Sequence, residues 1–208
     1  MEGIEGILNV GGTGLELLEE VIQIYIERKE WFGELIIQQI TLSAIAILFA
    51  GVIGLLIGMW IAEHSRVAPI ILGIANVFYT IPSISLLGML IPFIGIGNKT
   101  AVVALTIYGI MPMVRNTYTG IKGVDEDIIT AARGMGSTDF QIMMKIKLPL
   151  ALGVIIAGIR NMVVMTISVA AIASFIGAGG LGVAIYRGIT LYLSLIHISE
   201  PTRHLRIS

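Results

Sequence analysis

The chain has 208 residues, 56% of them hydrophobic and 13% charged, with a mean hydropathy of +0.93 and a formal net charge of -1. Soluble domains carry about 25% charged residues, so this composition excludes one and specifies an integral membrane protein. Balanced charge without a basic cluster gives no sign of a nucleic-acid partner, and the absence of cysteine removes disulfides, thiolate nucleophiles and Cys-based metal sites.

Residues 1–34 form an acid-rich N-terminal segment in which Arg28 and Lys29 are the only bases. That charge order is the reverse of a secretory signal. Leu15, Leu18, Val21, Ile22, Tyr25 and Ile26 recur at helical spacing opposite Glu16, Glu19, Glu20 and Glu27. The pattern predicts an amphipathic helix that lies on the membrane or docks a partner. Leu35 to Ala62 is uncharged and, at 1.5 Å per residue, about 40 Å long, enough for a tilted first span. Within it Gly51, Gly54 and Gly58 invite close approach by another helix.

Val67 to Asn98 is uncharged but too long for one simple span. Pro69, Pro82 and Pro92 explain the excess, because each removes a backbone donor and restricts the residue before it. A helix kinked or broken near Thr80, Ile81, Pro82 and Ser83 is expected. Irregular backbone at membrane depth must face protein or line a cavity, so Tyr79, Thr80, Pro82 and Ser83 are translocation-path candidates, with a packing kink as the alternative.

Thr100 to Thr119 forms the next span; Arg115, near its far end, is expected to snorkel. Leu150 to Ile176 follows, with Arg160 and Asn161 about a third of the way in and a small-residue packing face from Ser168 to Ser174. The glycines from Gly177 to Gly182 must break that helix. The expected fold is all-α and polytopic, with about five spans in residues 35–193, the last truncated or replaced. Residues 194–208, beginning LSLIHISEPTR at Leu193 or Ser194, read as a non-native tail.

Between these spans lies a polar island, Gly123 to Pro149, flanked or filled by Arg115, Lys122, Arg133, Lys145 and Lys147, against Lys99 alone in the Gly97 to Thr100 turn. The positive-inside rule therefore places the island, and with it the Glu63 to Arg66 loop, in the cytoplasm. The spans hold no acidic residue between Glu63 and Asp125 or between Asp139 and Glu200, which weighs against an ion-coupled carrier. No nucleophile–base pair or metal cluster supports an intramembrane hydrolase, so no catalytic or metal-binding residue is assigned. With no GxxxxGK[ST] loop, any nucleotide must bind a different chain.

Inside the island, Ala131, Ala132, Gly136, Ile146, Leu148 and Pro149 match, at intact spacing, the EAA-x3-G-x9-I-x-LP loop. The chain thus resembles the permeases of binding-protein-dependent ABC transporters, with Thr130 standing where the family has glutamate. Local chemistry gives the loop shape. Acids from Asp125 onward suit a helix N-terminus, Gly136 ends or turns that helix, and Ser137 or Thr138 caps a second, Asp139 to Lys147, before Pro149 starts the next span. Ala131, Ala132 and Met135 are expected to form a small apolar face.

The phrases FYTIPSISLLGMLIPFIGIG (Phe78 to Gly97), YGIMPMVRNTYTGI (Tyr108 to Ile121) and SFIGAGGLG (Ser174 to Gly182) resemble permeases that import glycine betaine, carnitine and choline. The likeness runs from about Gln38 to Thr190. It implies a type I importer helical core in a prokaryotic cytoplasmic membrane. Its implied partners are an ATP-binding subunit holding ATP and magnesium, an extracytoplasmic binding protein, and a second permease copy, identical or not. It also implies that Thr130, Ala131, Ala132, Arg133, Gly136, Asp139, Ile146, Leu148 and Pro149 couple this chain to the ATPase. Weak, uncharged lining suits a zwitterion that must leave as readily as it enters, which adds Asn116, Thr117 and Asn161 to the path candidates. A methionine-type importer and a stand-alone osmotically gated channel are the alternative functions.

Overall fold

In the computed structural model, which describes residues 22–23 and 26–199 and the side chains of all but 191–199, the first long element is α1, Lys29–Glu63. The N-terminal amphipathic helix expected over residues 15–26 falls almost wholly outside the described residues; of the expected tail, 194–208, residues 194–199 continue the last helix and the rest lies outside the described residues. After α1 come α2 (Ala68–Thr80), α3 (Ser83–Ile94), α4 (Asn98–Lys122), α5 (Glu126–Gly134) and α6 (Asp139–Ile142). A π-helical turn, Met143–Lys147, then leads into α7 (Leu148–Ile172), a 3-10 turn (Ala173–Ile176) and α8 (Gly182–Ser199). Every described element is helical, as membrane-spanning backbone outside a barrel must be.

α4 is the axis of the bundle, held between α1 and α7. Along α1, Gly54 and Gly58 meet Met113 and Thr117 of α4, and one turn earlier Ala50 meets Gly109. These are matching i, i+4 ridges running in the same direction. A Cβ on Gly54 would lie 2.7 Å from Met113 Cβ, and one on Gly58 would lie 2.5 Å from Thr117 Cβ. The GxxxG expectation is met, with α4 as the partner. α7 runs antiparallel to α4: Gly120 faces Ala151 and Val154, Asn116 faces Gly158, and Gly109 faces Met162 and Thr166.

Parallel α1 and α4 require the chain to return across the bundle between them, and α2 with α3 make that return as a broken pair bent by 98°. The break falls at Thr80–Ser83, as the prolines dictate. The Ile81 carbonyl, freed where the ladder stops, accepts the Tyr108 hydroxyl from α4. The same satisfaction rule explains why the kink persists in an apolar setting.

Among the described residues two helical runs are long and apolar enough to cross a membrane, Lys29–Glu63 and Asp139–Ile176, or three with the bent pair. About five spans were expected, and the shortfall lies in α4 and α8. With 25 residues α4 is about 37 Å long, ample for a crossing. Its polar content is carried because its neighbours, not lipid, surround it: Thr100, Tyr108 and Thr117 are all buried. α8, 18 residues, is positioned by Arg187 over the Trp31 ring at 5.1 Å and by an edge contact of Tyr186 with Phe175. The Asp139–Ile176 run also corrects the expectation that Pro149 begins a separate span. The π turn places Leu148 N–H on the Met143 carbonyl, five residues back, and this wider turn admits the Pro149 ring without breaking the helix.

Candidate functional site

Two places on this scaffold gather most of the residues singled out by sequence. They are a knob at the end of the bundle where α1 finishes, and a cavity beside α4.

The knob is α5, α6 and the turn between them. Asp125 caps α5 by accepting the Asp127 N–H at 2.9 Å, with Glu126 and Asp127 in the first turn where the helix dipole favours acids. Gly136 has φ +84°, a left-handed conformation that stops the helix. Thr138 then forms a capping box with Gln141, each side chain bonding the other's backbone N–H. Ile129, Ala132 and Ile142 close a small apolar core, with Val124 and Ile146 against it. Burying each isoleucine is worth about 1.5–3 kcal/mol, so the knob has its own packing. Arg133 bridges the turn to Asp139 at 3.1 Å, though both side chains are exposed and the pair adds little.

The expected apolar face of Ala131, Ala132 and Met135 is divided. Ala132 is buried in the knob core, whereas Thr130, Ala131 and Met135 point to solvent. Successive helical residues differ by about 100°, so adjacent alanines cannot share a face. The exposed tip carries large apolar groups instead: Met135 is 80% exposed and Phe140 is 71% exposed. Phe140 escaped notice in the sequence, where only its position after a capping threonine marked it. Ile146 and Leu148 are half-buried and Pro149 exposed along the stem. At the base of that stem, Lys147 Nζ lies 2.6 Å from Glu63 Oε1 and only 12% of its side chain is exposed, tying the knob's stem to the end of α1.

The cavity, open to one side, has a volume of about 450 Å³ and is lined from α2 by Tyr79, from α4 by Met111, Pro112, Arg115 and Asn116, and from α7 by Arg160, Asn161, Val164 and Met165. Of the predicted path residues, Tyr79, Asn116 and Asn161 come together here. Thr80, Pro82, Ser83 and Thr117 do not line it. Thr80 bonds back to the Val77 carbonyl at 2.8 Å, while Pro82 and Ser83 form the start of α3. Thr117 is fully buried against Gly58, because it shares the Gly109–Met113 ridge rather than the Asn116 face.

Arg115 and Arg160 were not expected in one place. The sequence alone puts Arg115 near a helix end, but α4 continues to Lys122, seven residues or about 10 Å further. Because α7 is antiparallel, Arg160 in the middle of its helix comes level with Asn116. Arg115 Nη2 donates to Asn76 Oδ1 at 2.6 Å, and Asn116 Nδ2 donates to the Pro112 carbonyl at 2.8 Å. The available signal was a repeated Arg–Asn dipeptide, each followed or preceded at i±4 by cavity neighbours: 111, 112, 115, 116 and 160, 161, 164, 165 are the same helical stripe. Among the described residues no cluster of His, Cys, Asp and Glu is arranged to hold a metal.

Comparison with known proteins agrees with this architecture. The chain is similar to the carnitine transport permease protein OpuCD of Listeria monocytogenes, 40% identical over 174 residues that cover 84% of this chain and 78% of that protein. It is 36% identical to the choline transport system permease protein OpuBD of Bacillus subtilis, covering 84% and 77%. The osmoprotectant import permease protein OsmW of Salmonella typhimurium is 39% identical, covering 82% of each. Among solved structures, inward-facing MetNI methionine ABC transporter superposes with a TM-score of 0.71 at 27% identity, covering 77% of this chain and 82% of that one. An amino acid ABC transporter matches in fold at 22% identity, with a TM-score of 0.66 over 86% of this chain and 91% of that one. Residues 50–195 match the family described as binding-protein-dependent transport system inner membrane component, so this chain belongs to that family and is a membrane-embedded transport permease subunit.

Proposed function

We propose that this permease is the membrane subunit of an ATP-driven importer for quaternary ammonium osmoprotectants of the glycine betaine, carnitine and choline type. The single observation that carries the substrate class is the 40% identity, over most of both chains, to a carnitine permease. The likeness to a methionine transporter is a likeness of fold at lower identity.

The mechanism follows from the parts. A loaded binding protein docks on the face opposite the knob, where Gln38, Asn98 and the Gly177–Gly182 loop gather: Gln38 Oε1 accepts the Gly180 N–H and Asn98 Oδ1 accepts the Gly179 N–H. ATP and magnesium bind a partner ATPase, whose closure pushes on the knob. Thr130, Ala131, Arg133 and Asp139 are exposed for that contact, with Met135 and Phe140 as apolar anchors for a groove. Ala132, Gly136, Ile146, Leu148 and Pro149 shape the knob and its stem. The push reaches α1 through Glu63–Lys147 and reaches the core through the unbroken Asp139–Ile176 helix. Spans of two permease copies then alternate access to a path that includes Tyr79, Asn116 and Asn161.

The test is uptake in cells with this system as their only osmoprotectant route, competed with betaine, carnitine, choline and methionine. Competition by the quaternary ammonium compounds and not by methionine is expected. Competition by methionine alone would replace the substrate class, and conduction by the purified chain without an ATPase would replace the importer with a channel.

A further inference from the structure

The two arginines of the cavity are more than the uncharged lining a zwitterion path requires. Among the described residues Arg160 forms no hydrogen bond or ion pair, and Arg115 is held only by the neutral Asn76 side chain. No carboxylate lines the cavity, and the sequence offers none between Glu63 and Asp125 or between Asp139 and Glu200. Each guanidinium is a cation with hydrogen-bond donors only, so two positive groups face one space at the depth of the middle of α7. Ionisable groups at membrane depth are costly and face an aqueous path or a counter-charge. Their cost is met when an anionic group enters.

We propose that Arg115 and Arg160, converging on one cavity with Asn116 and Asn161, form a transit site for the carboxylate of a zwitterionic quaternary ammonium solute. This rests on the osmoprotectant reading above and sharpens it. The permease itself, not only the binding protein, favours betaines and carnitine over choline, which has no carboxylate. A guanidinium matches a carboxylate in a fork of two hydrogen bonds, and the asparagine amides add donors at the same level of the helices. Tyr79, across the cavity on α2, offers one ring to the trimethylammonium end. A single ring gives a weak cation–π contact, which suits passage rather than capture. The volume of about 450 Å³ lies within the range of small-molecule pockets and exceeds what one such solute fills, so water accompanies it.

The experiment measures uptake of labelled glycine betaine, carnitine and choline by the complete importer, in cells with no other route, for Arg160→Gln, Arg115→Gln and the two Lys variants. The binding protein is the same throughout, so the ratio of variant to parent reports the permease step. Stimulation of ATPase activity by the loaded binding protein, measured on the purified complex, reports folding and coupling. The expected result is a drop of about tenfold in betaine and carnitine uptake for each Gln variant. ATPase stimulation is retained, choline uptake is unchanged or raised, and Lys, which keeps the charge but not the fork, restores part of the betaine uptake. Equal loss of all three solutes, loss of ATPase stimulation together with uptake, equal behaviour of Gln and Lys, or no loss at all would each overturn the carboxylate site while leaving the importer in place. Failure of the parent to import any of the three would overturn the osmoprotectant reading itself.

Discussion

Gly136 and Gly58 do different physical work although both are glycines in short motifs. Gly136 needs its φ of +84°, and a Cβ there would meet nothing within 4 Å. Gly136→Ala therefore costs backbone strain of about 1–2 kcal/mol and little else, and is expected to insert normally with reduced uptake. Gly136→Asp adds a charge beside exposed Asp139 at the knob's tip, and is expected to abolish uptake while the protein still reaches the membrane. Full uptake by that variant would remove the knob from the mechanism. At Gly58 the constraint is space, since its Cβ would lie 2.5 Å from Thr117 Cβ. Gly58→Leu should overpack the α1–α4 contact by at least about 1–3 kcal/mol, lowering the detergent melting temperature and the monodisperse yield. Both glycines were legible from spacing. Thr117 was not correctly legible: hydroxyl chemistry placed it on the path, but helical phase puts it on the Gly109–Met113 ridge, one step of about 100° from Asn116.

At the scale of elements, the bend between α2 and α3 and the two helices of the knob follow from local rules. Proline removes a donor at Pro82, Asp125 and Thr138 supply caps, and a left-handed glycine separates the helices. The continuity of α6 into α7 did not follow, because a π turn has no sequence signature and Pro149 reads as a stop. The helical stem joins the knob to the core as one continuous run rather than as a tethered loop. Two predictions belong here. Phe140→Ala, with its ring 71% exposed in this chain, should leave the permease's stability within about 0.5 kcal/mol of the parent. The same variant should weaken recovery of the ATPase subunit by an amount typical of an aromatic anchor, about 2–4 kcal/mol. Unaltered recovery would move the docking surface elsewhere. Lys147→Gln breaks the half-buried pair with Glu63 and is expected to lower stability by about 1 kcal/mol, while reducing uptake per ATP hydrolysed. The Glu63→Gln, Lys147→Gln double variant should show less than the sum of the two losses, because the pair is one link.

For the whole molecule, the order of crossings explains why hydropathy undercounts the spans. α1 and α7 are exposed on much of their surface and are strongly apolar, whereas α4, enclosed by them, tolerates buried threonines and two cavity-facing polar residues. The composition announced a membrane protein and the loop motif announced its class. The convergence of Arg115 with Arg160 needed the length of α4 and its antiparallel pairing with α7, neither of which any local stretch encodes. The same arrangement places the knob at one end and the Gln38–Asn98–Gly180 cluster at the other, with the cavity between. That is the layout an importer driven from one face and fed from the other requires.

The most direct measurement is uptake of labelled glycine betaine into proteoliposomes that contain this chain with its ATPase subunit and are supplied with loaded binding protein. Uptake that requires ATP on the knob side and stops in the Gly136→Asp variant is the predicted result. Uptake by the chain alone, without ATPase or ATP, would contradict the account.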